Sequence, residues 1–190
     1  MSTSWRCAGL FSQCIALAVA LVAAGVPAAD AGDADRGAAN IWRDMKWPLS
    51  FDPWPPGRAF QCSKADCGAD VELYVRPKLG FCNCTVGITD DSEIDQVGDL
   101  AAIGPNFAPT NASHSIVVGD MKGLARHYRI ISPAGDIQAL AIVTSKKCDV
   151  VVVTIASATA LPVEVEQAAL ALLNSERVLP WITASVGIPP

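Results

Sequence analysis

The sequence predicts an α+β domain, with an antiparallel sheet of about five to six strands and two helices packed against it. Polar and apolar residues alternate over residues 71–76, which is the period of a half-buried strand. Residues 115–158 hold further strand-like segments that follow one another with short turns between them. Two segments with helical periodicity, 90–101 and 162–173, flank this series. Strands in series with helices set apart from them indicate an α+β arrangement.

The first 31 residues have the features of a signal peptide. A short polar start carries Arg6, and residues 14–26 form an apolar run. Residues 29–31 (Ala-Asp-Ala) fit a cleavage site, and residues 26–28 (Val-Pro-Ala) are a competing one. The run is short for a membrane span. An uncleaved anchor over residues 8–26 is the alternative. The sequence therefore predicts export to the periplasm or the cell exterior, with no stable membrane span after processing.

The remaining chain is predicted to have three parts: a flexible lead-in over residues 32–46, a single domain over residues 47–184, and a tail over residues 185–190. Residues 47–60, which we call the strap, are rich in tryptophan and proline. Prolines at this density prevent a helix or a central strand. The strap is therefore expected to run extended across the domain and to pack its tryptophans against it.

An alternative role for the strap is docking of a protein partner. Tryptophan and arginine are enriched among the residues that dominate protein interfaces. The candidate docking residues are Trp47, Trp54 and Arg58.

The elements after the strap are predicted in order from local patterns. Residues 71–76 form a strand, and residues 81–88 look like its return strand. A helix follows, capped by Asp90 or Asp91 with Glu93 near the third helical position. Residues 106–114 are predicted to be a loop.

The second half of the chain is predicted as a series of strands covered by a helix. A hairpin turn is expected at residues 132–136 and a tight connection around Lys146. Val150 to Val153 are apolar on both faces, so this strand should be central and covered. The cover is the last helix, which starts near Pro162. Residues 178–182 are expected to form an edge strand or a tail.

This order of elements resembles the PsbP-like fold. The resemblance runs through "WPLSFDPWPPGRAF", "VELYVRP", "GLARHYRII", "IQALAIVTSKKCDVVVVTI" and "VEQAALALLNS", and would cover residues 47 to about 174. It implies a non-catalytic scaffold that assists or stabilises protein assemblies. The cysteines are not part of that fold's pattern. The chain also looks like small uncharacterised exported proteins of bacteria.

Five cysteines follow the predicted signal peptide: Cys62, Cys67, Cys82, Cys84 and Cys148. Disulfides persist in the compartments that exported proteins reach. Cys82 and Cys84 would share one face of a strand, and a bond between them would close a very small ring. We therefore expect Cys62–Cys67 to pin the loop before the first strand, and Cys148 to bond Cys82 or Cys84. One cysteine is left over.

A thiol function is the main alternative to structural disulfides. If reduced, Cys82, Cys84 and Cys148 are candidate Cu(I) ligands, because soft thiolates select that ion. Alternatively, Cys82 and Cys84 could exchange disulfides with other thiols. Zinc is disfavoured because the spacings miss the usual C-x2-C, and no C-x-x-C redox motif is present.

A small hydrolase is a second alternative. It would use His114, which Ser113 and Ser115 flank, but it would need a serine, a histidine and an acid to meet in space. No G-x-S-x-G elbow is present, and we favour a solvated His114 and a structural His127.

Charge and motifs disfavour two further classes of ligand. The net charge of −5 and the pI of about 4.9 argue against a nucleic-acid partner. No phosphate-binding or dinucleotide motif is present, so no cofactor is predicted. The sequence thus favours an exported, non-enzymatic accessory or scaffold protein that is stabilised by disulfides and docks a protein partner.

Overall fold

The computed structural model describes residues 37–49, 54–80, 84–133 and 135–187. These residues form eight strands: β1 (Arg43–Met45), β2 (Arg58–Cys62), β3 (Val71–Lys78), β4 (Asn106–Pro109), β5 (His114–Val118), β6 (Met121–Ile131), β7 (Ile137–Lys146) and β8 (Asp149–Ser157). They also form six helical segments: α1 (residues 37–40), α2 (Lys64–Cys67), α3 (Asp91–Val97), α4 (Leu100–Ile103), α5 (Val163–Leu173) and α6 (Leu179–Ser185).

The strands form one antiparallel sheet in the order β1-β2-β3-β8-β7-β6-β4, and β5 pairs with the remaining part of β6. The α+β class is therefore confirmed, but five to six strands and two helices were too few. The missed elements are short, since β1 has three residues while α2 and α4 have four each. Segments of this length do not show a readable hydrophobic period.

Three local predictions were wrong. Residues 106–109 are an edge strand rather than a loop, and an edge tolerates Pro109. Residues 84–88 form a turn rather than a strand, with Gly87 at a φ of 69°. Residues 179–185 form α6, because Pro180 is acceptable in the first helical turn.

The central strand is covered on both faces, as its sequence predicted. All nine residues of β8 are buried. Val151 and Val153 pack with α5 and α6 on one face of the sheet, which we call the α5 face. Val150 and Val152 pack with α3 and α4 on the other, which we call the α3 face. Each face thus has its own core.

The start of α3 follows its sequence signals closely. Asp90 caps the helix and forms a reciprocal capping box with Glu93. The side-chain hydrogen bond from Ser92 and the backbone N–H of Glu93 hold the pKa of Asp90 below its usual range. The helix ends at Val97 with Gly98 as its C-cap, and α4 begins at Leu100 after the single residue Asp99.

Residues 37–46 belong to the fold and are not part of a flexible lead-in. Trp42 is 1% exposed, and its indole N–H donates to the Ala168 carbonyl of α5 at 3.0 Å. Strand β1 then pairs with β2 at the sheet edge. One large buried aromatic side chain and three ladder pairs anchor a segment whose composition is otherwise small and polar.

The predicted signal peptide lies outside the described residues, as do residues 32–36. Among the helices that the structure describes, none has the length and apolar character needed to cross a membrane.

Candidate functional site

A groove of about 750 Å³ opens on the α3 face of the sheet, beside the terminal strand β1. Strands β1, β2, β3 and β8 supply its floor, while Pro48 and Leu49 of the strap and helix α4 supply its walls. Helices α3 and α4 cover the rest of this face, so the groove is the part of the face that they leave open. Its volume lies in the range of about 300–1,000 Å³ that is usual for ligand sites.

The floor of the groove is a row of four side chains that crosses four strands. Arg43 pairs with Gln61, Gln61 with Glu72, and Glu72 with Ala156. Paired residues of neighbouring strands point to the same face, and strands lie about 4.8 Å apart, so the row is about 14 Å long. The row therefore presents a guanidinium, an amide, a carboxylate and a methyl group in that order.

The Tyr74 hydroxyl stands next to this row and donates a hydrogen bond to the Glu72 carboxylate. Burial, and then the neighbouring Glu72, raise the pKa of Tyr74 well above its ordinary value. The phenol thus stays protonated at physiological pH and acts as a hydrogen-bond donor. Glu72 itself is exposed.

The walls of the groove are aliphatic. Leu49 comes from the strap, and Ala102 and Ile103 come from α4. The same three residues line a second cavity of about 520 Å³, which also contacts Asp99. The position of α4 therefore sets the shape of both cavities.

A buried cluster of charges holds α4 over the sheet. Arg76 donates to both carboxylate oxygens of Asp99, from Nε at 2.7 Å and from Nη2 at 2.6 Å. The Lys78 ammonium lies 2.8 Å from Asp99 and also donates to the Val97 carbonyl. Arg76 and Asp99 are only 2% and 6% exposed. Because Asp99 immediately precedes α4, this cluster positions the wall of the groove.

The three candidate docking residues of the strap are held by contacts within the chain. Trp47 packs edge-on against Tyr74 at 6.0 Å and lies 5.7 Å from the Arg76 guanidinium. Arg58 donates to the Arg177 carbonyl and to Asp44, and Trp54 is half-buried. These residues fasten the strap, whereas its Pro48 and Leu49 border the groove.

The cluster around Arg58 leads to a prediction about acid stability. Burial of Asp44 favours its neutral form, but hydrogen bonds and charge from Arg58 and Arg177 outweigh burial and hold the pKa of Asp44 below its ordinary value of 3.8. A carboxylate with a lowered pKa in the folded state stabilises the fold above pH 3.8, and this contribution is lost as the pH falls through the lowered value.

We therefore expect Asp44→Asn to reduce the loss of unfolding free energy on acidification from about pH 5 to about pH 2. Urea unfolding midpoints of the wild type and the variant across this range check the prediction. An Asp44→Asn profile parallel to that of the wild type over the whole range would contradict it.

The described residues form two disulfides. Cys62 bonds Cys67 across the loop that precedes β3, and Cys84 bonds Cys148 in the turn between β7 and β8. Cys82 lies outside the described residues. In this oxidised form, two of the three candidate Cu(I) ligands are bonded to each other. Copper binding or disulfide exchange would first require that bond to open.

The two histidines of the chain contact the same carboxylate. His114 Nε2 lies 2.6 Å from Glu166 Oε1, and His127 Nε2 lies 3.7 Å from Glu166 Oε2. Glu166 belongs to α5, and His127 stands opposite Leu140, a core residue of the α5 face. The histidines and the groove therefore lie on opposite faces of the sheet.

The acidic segment at the start of α3 serves the helix cap and one ion-pair network. Asp91 and Asp95 both contact Arg126, at 3.2 Å and 3.0 Å. Within the described part of the chain, no group of three histidine, cysteine, aspartate or glutamate residues is placed to hold a metal ion.

No protein-family model matches this chain. No curated protein matches it either. Solved structures with some likeness include a protein from Bacteroides thetaiotaomicron VPI-5482, with 6% identity, a TM-score of 0.39, and coverage of 71% of this chain and 41% of that one.

Two other solved structures show a similar degree of likeness. Protein PA94 of unknown function from Pseudomonas aeruginosa has 12% identity and a TM-score of 0.38, covering 78% of this chain and 96% of that one. LpqN, involved in cell envelope biogenesis of Mycobacterium tuberculosis, has 12% identity and a TM-score of 0.40, covering 70% of this chain and 73% of that one. At these TM-scores the likenesses carry no argument about function.

The groove was not predicted from the sequence, although one signal pointed to its floor. The alternation in β3 places Glu72, Tyr74 and Arg76 on one face. A solvated face is the usual interpretation of such a pattern, but Tyr74 and Arg76 are both buried. In the sequence, the presence of Tyr74 and Arg76 on this face was the one signal that other elements cover part of it.

Proposed function

We propose that this protein is an exported, non-enzymatic accessory protein that binds a protein partner at the groove bordered by the strap. The observation that carries the proposal is the groove itself, an open part of the α3 face with aliphatic walls and a polar floor. Binding sites commonly combine apolar lining residues, which a ligand covers, with a few polar groups that fix its orientation.

Export is supported by the cysteine chemistry together with the N-terminal sequence. Two disulfides in a domain of this size are typical of oxidising compartments and rare in the cytosol. The signal-peptide pattern of residues 1–31 agrees with such a compartment.

A binding role is favoured over catalysis by what faces the groove. The described residues that line it include a tyrosine that stays protonated and no histidine. Its other polar side chains are Arg43, Gln61, Ser63, Asp70, Glu72 and Ser157. The histidines, the usual acid–base groups near neutral pH, sit on the α5 face. The predicted PsbP-like resemblance, which implies a scaffold role, agrees with this proposal and remains a prediction.

A rigid wall also suits a docking surface. The Arg76–Asp99 pair holds α4 in place, and Trp47 packs against Tyr74 next to the lining residues Pro48 and Leu49. A surface that is already ordered loses less conformational entropy when a partner binds. The groove is thus preorganised for binding.

We expect Ala158→Trp to weaken partner binding at least tenfold, because Ala158 is an exposed residue that lines the groove and the indole would obstruct part of it. The matched control is Ala184→Trp, at an exposed position of α6 outside the groove. Crosslinking in the native compartment, followed by rebinding of the purified partner, compares the two variants with the wild type.

The result expected is loss of the crosslinked partner and at least a tenfold weaker rebinding for Ala158→Trp alone, which corresponds to about 1.4 kcal/mol. Equal capture and equal affinity for both tryptophan variants would refute docking at the groove.

A further inference from the structure

We propose that the groove binds an extended segment of the partner, with a lysine or arginine of that segment placed over Glu72 and an apolar side chain against Leu49 and Ile103. This inference rests on the proposed function and specifies the chemistry of the partner. Shape, charge and wall composition support it in turn.

The shape of the groove fits an extended polypeptide. The floor row from Arg43 to Ala156 is about 14 Å long, which is the length of about four extended residues. One end of the row lies at β1, which pairs only with β2 among the strands described. The groove is therefore open at the sheet edge, where a chain can enter and continue beyond the site.

The carboxylates at the floor of the groove favour a positively charged group on the partner. Asp70 and Glu72 both line the groove, two residues apart along the chain. Asp70 accepts a backbone hydrogen bond from Lys64, and Glu72 accepts one from Tyr74. In the described part of the chain neither carboxylate forms an ion pair. Arg43 lies two strands away from Glu72, so the backbones of the two residues are about 9.6 Å apart.

A carboxylate beside aliphatic walls favours a basic side chain over a neutral one. Glu72 has one oxygen that no described residue uses, since Tyr74 donates to Oε2. A lysine or arginine would donate to that free oxygen. Hydrogen bonds between charged groups are stronger than neutral ones. Glu72 is exposed in the free protein, and a segment that covers Leu49 and Ile103 would exclude part of the water that screens its charge.

The walls provide the second contact. Leu49, Ala102 and Ile103 are only partly buried, so an apolar side chain of the segment can cover them. Side chains alternate along an extended segment, and those on one side are about 6.7 Å apart. The expected segment thus pairs one basic residue with one apolar residue within a few positions.

A random heptapeptide phage library, panned on the oxidised full-length exported protein, tests this inference. We expect the selected peptides to be enriched in lysine or arginine together with an apolar residue. A synthetic peptide of the selected sequence is then measured by fluorescence anisotropy against the wild type, Glu72→Gln and Glu176→Gln.

Glu72→Gln keeps an acceptor for Tyr74 and removes only the charge, so we expect about tenfold weaker binding. Glu176 is an exposed glutamate outside the groove, and Glu176→Gln should bind like the wild type. Raising the salt concentration should weaken binding to the wild type more than binding to Glu72→Gln.

Three results would overturn the inference: selected peptides without a basic residue, no selected peptide at all, or equal affinities for Glu72→Gln and Glu176→Gln. Self-association in analytical ultracentrifugation that Ala158→Trp abolishes would assign the groove to a second copy instead. If Ala158→Trp still loses the native partner while Glu72→Gln binds normally, the docking site stands and only the basic segment is wrong.

Discussion

Asp99→Ala is expected to lower the free energy of unfolding by about 3–5 kcal/mol. The Asp99 carboxylate faces the Arg76 guanidinium and the Lys78 ammonium, and all three side chains are buried. Removing one member of a buried ion cluster costs more than the pair itself contributes, because the remaining charges stay desolvated. The loss is large relative to a typical total stability of about 5–15 kcal/mol.

Guanidinium chloride unfolding of the oxidised protein measures this effect. The control is Asp120→Ala, which removes an exposed carboxylate 3.1 Å from Lys146 and should cost less than about 1 kcal/mol. If Asp99→Ala were as mild as Asp120→Ala, the cluster would not be the support of α4 that we infer. If Asp99→Ala is strongly destabilising, we also expect this variant to bind the partner more weakly, because α4 forms a wall of the groove.

Loss of the Cys84–Cys148 disulfide is expected to cost about 4 kcal/mol, and loss of Cys62–Cys67 about 2 kcal/mol. The two bonds differ in the length of chain that they close, with sequence separations of 64 and 5. A longer closed loop removes more conformational freedom from the unfolded chain. The long-range bond should therefore dominate the stability that the disulfides provide.

Paired serine substitutions test this order. Each pair is made in a Cys82→Ser background, so that the Cys82 thiol cannot exchange with the disulfide that remains. Equilibrium unfolding is then compared between the Cys84→Ser/Cys148→Ser and Cys62→Ser/Cys67→Ser proteins. A larger loss from the short loop than from the long one would contradict the loop-length argument.

Several elements were predictable because their signals are local. The alternation of β3 and the capping box of α3 depend on residues at most a few positions apart. The buried character of β8 is also local, since an unbroken apolar run implies cover on both faces. The Cys62–Cys67 bond belongs to the same group, because a short loop brings the two cysteines together.

Other elements were not predictable because their stability comes from distant partners. Strand β1 and helix α4 are too short to show a pattern and are fixed by β2 and by the Arg76–Asp99 pair. The helical turn before β1 is anchored by Trp42, whose hydrogen-bond partner lies 126 residues away. Isolated helices of this length are unstable, so packing decides whether they form.

The amino-acid pattern alone established the α+β class, the central covered strand, the signal-peptide features, and the short list of cysteines available for pairing. The tertiary structure decided which cysteine meets Cys148 and which side of β3 is left open as a groove. The reason is physical. The groove floor joins side chains from four strands that are up to 113 residues apart, from Arg43 to Ala156, and only the ladder register places them in one row.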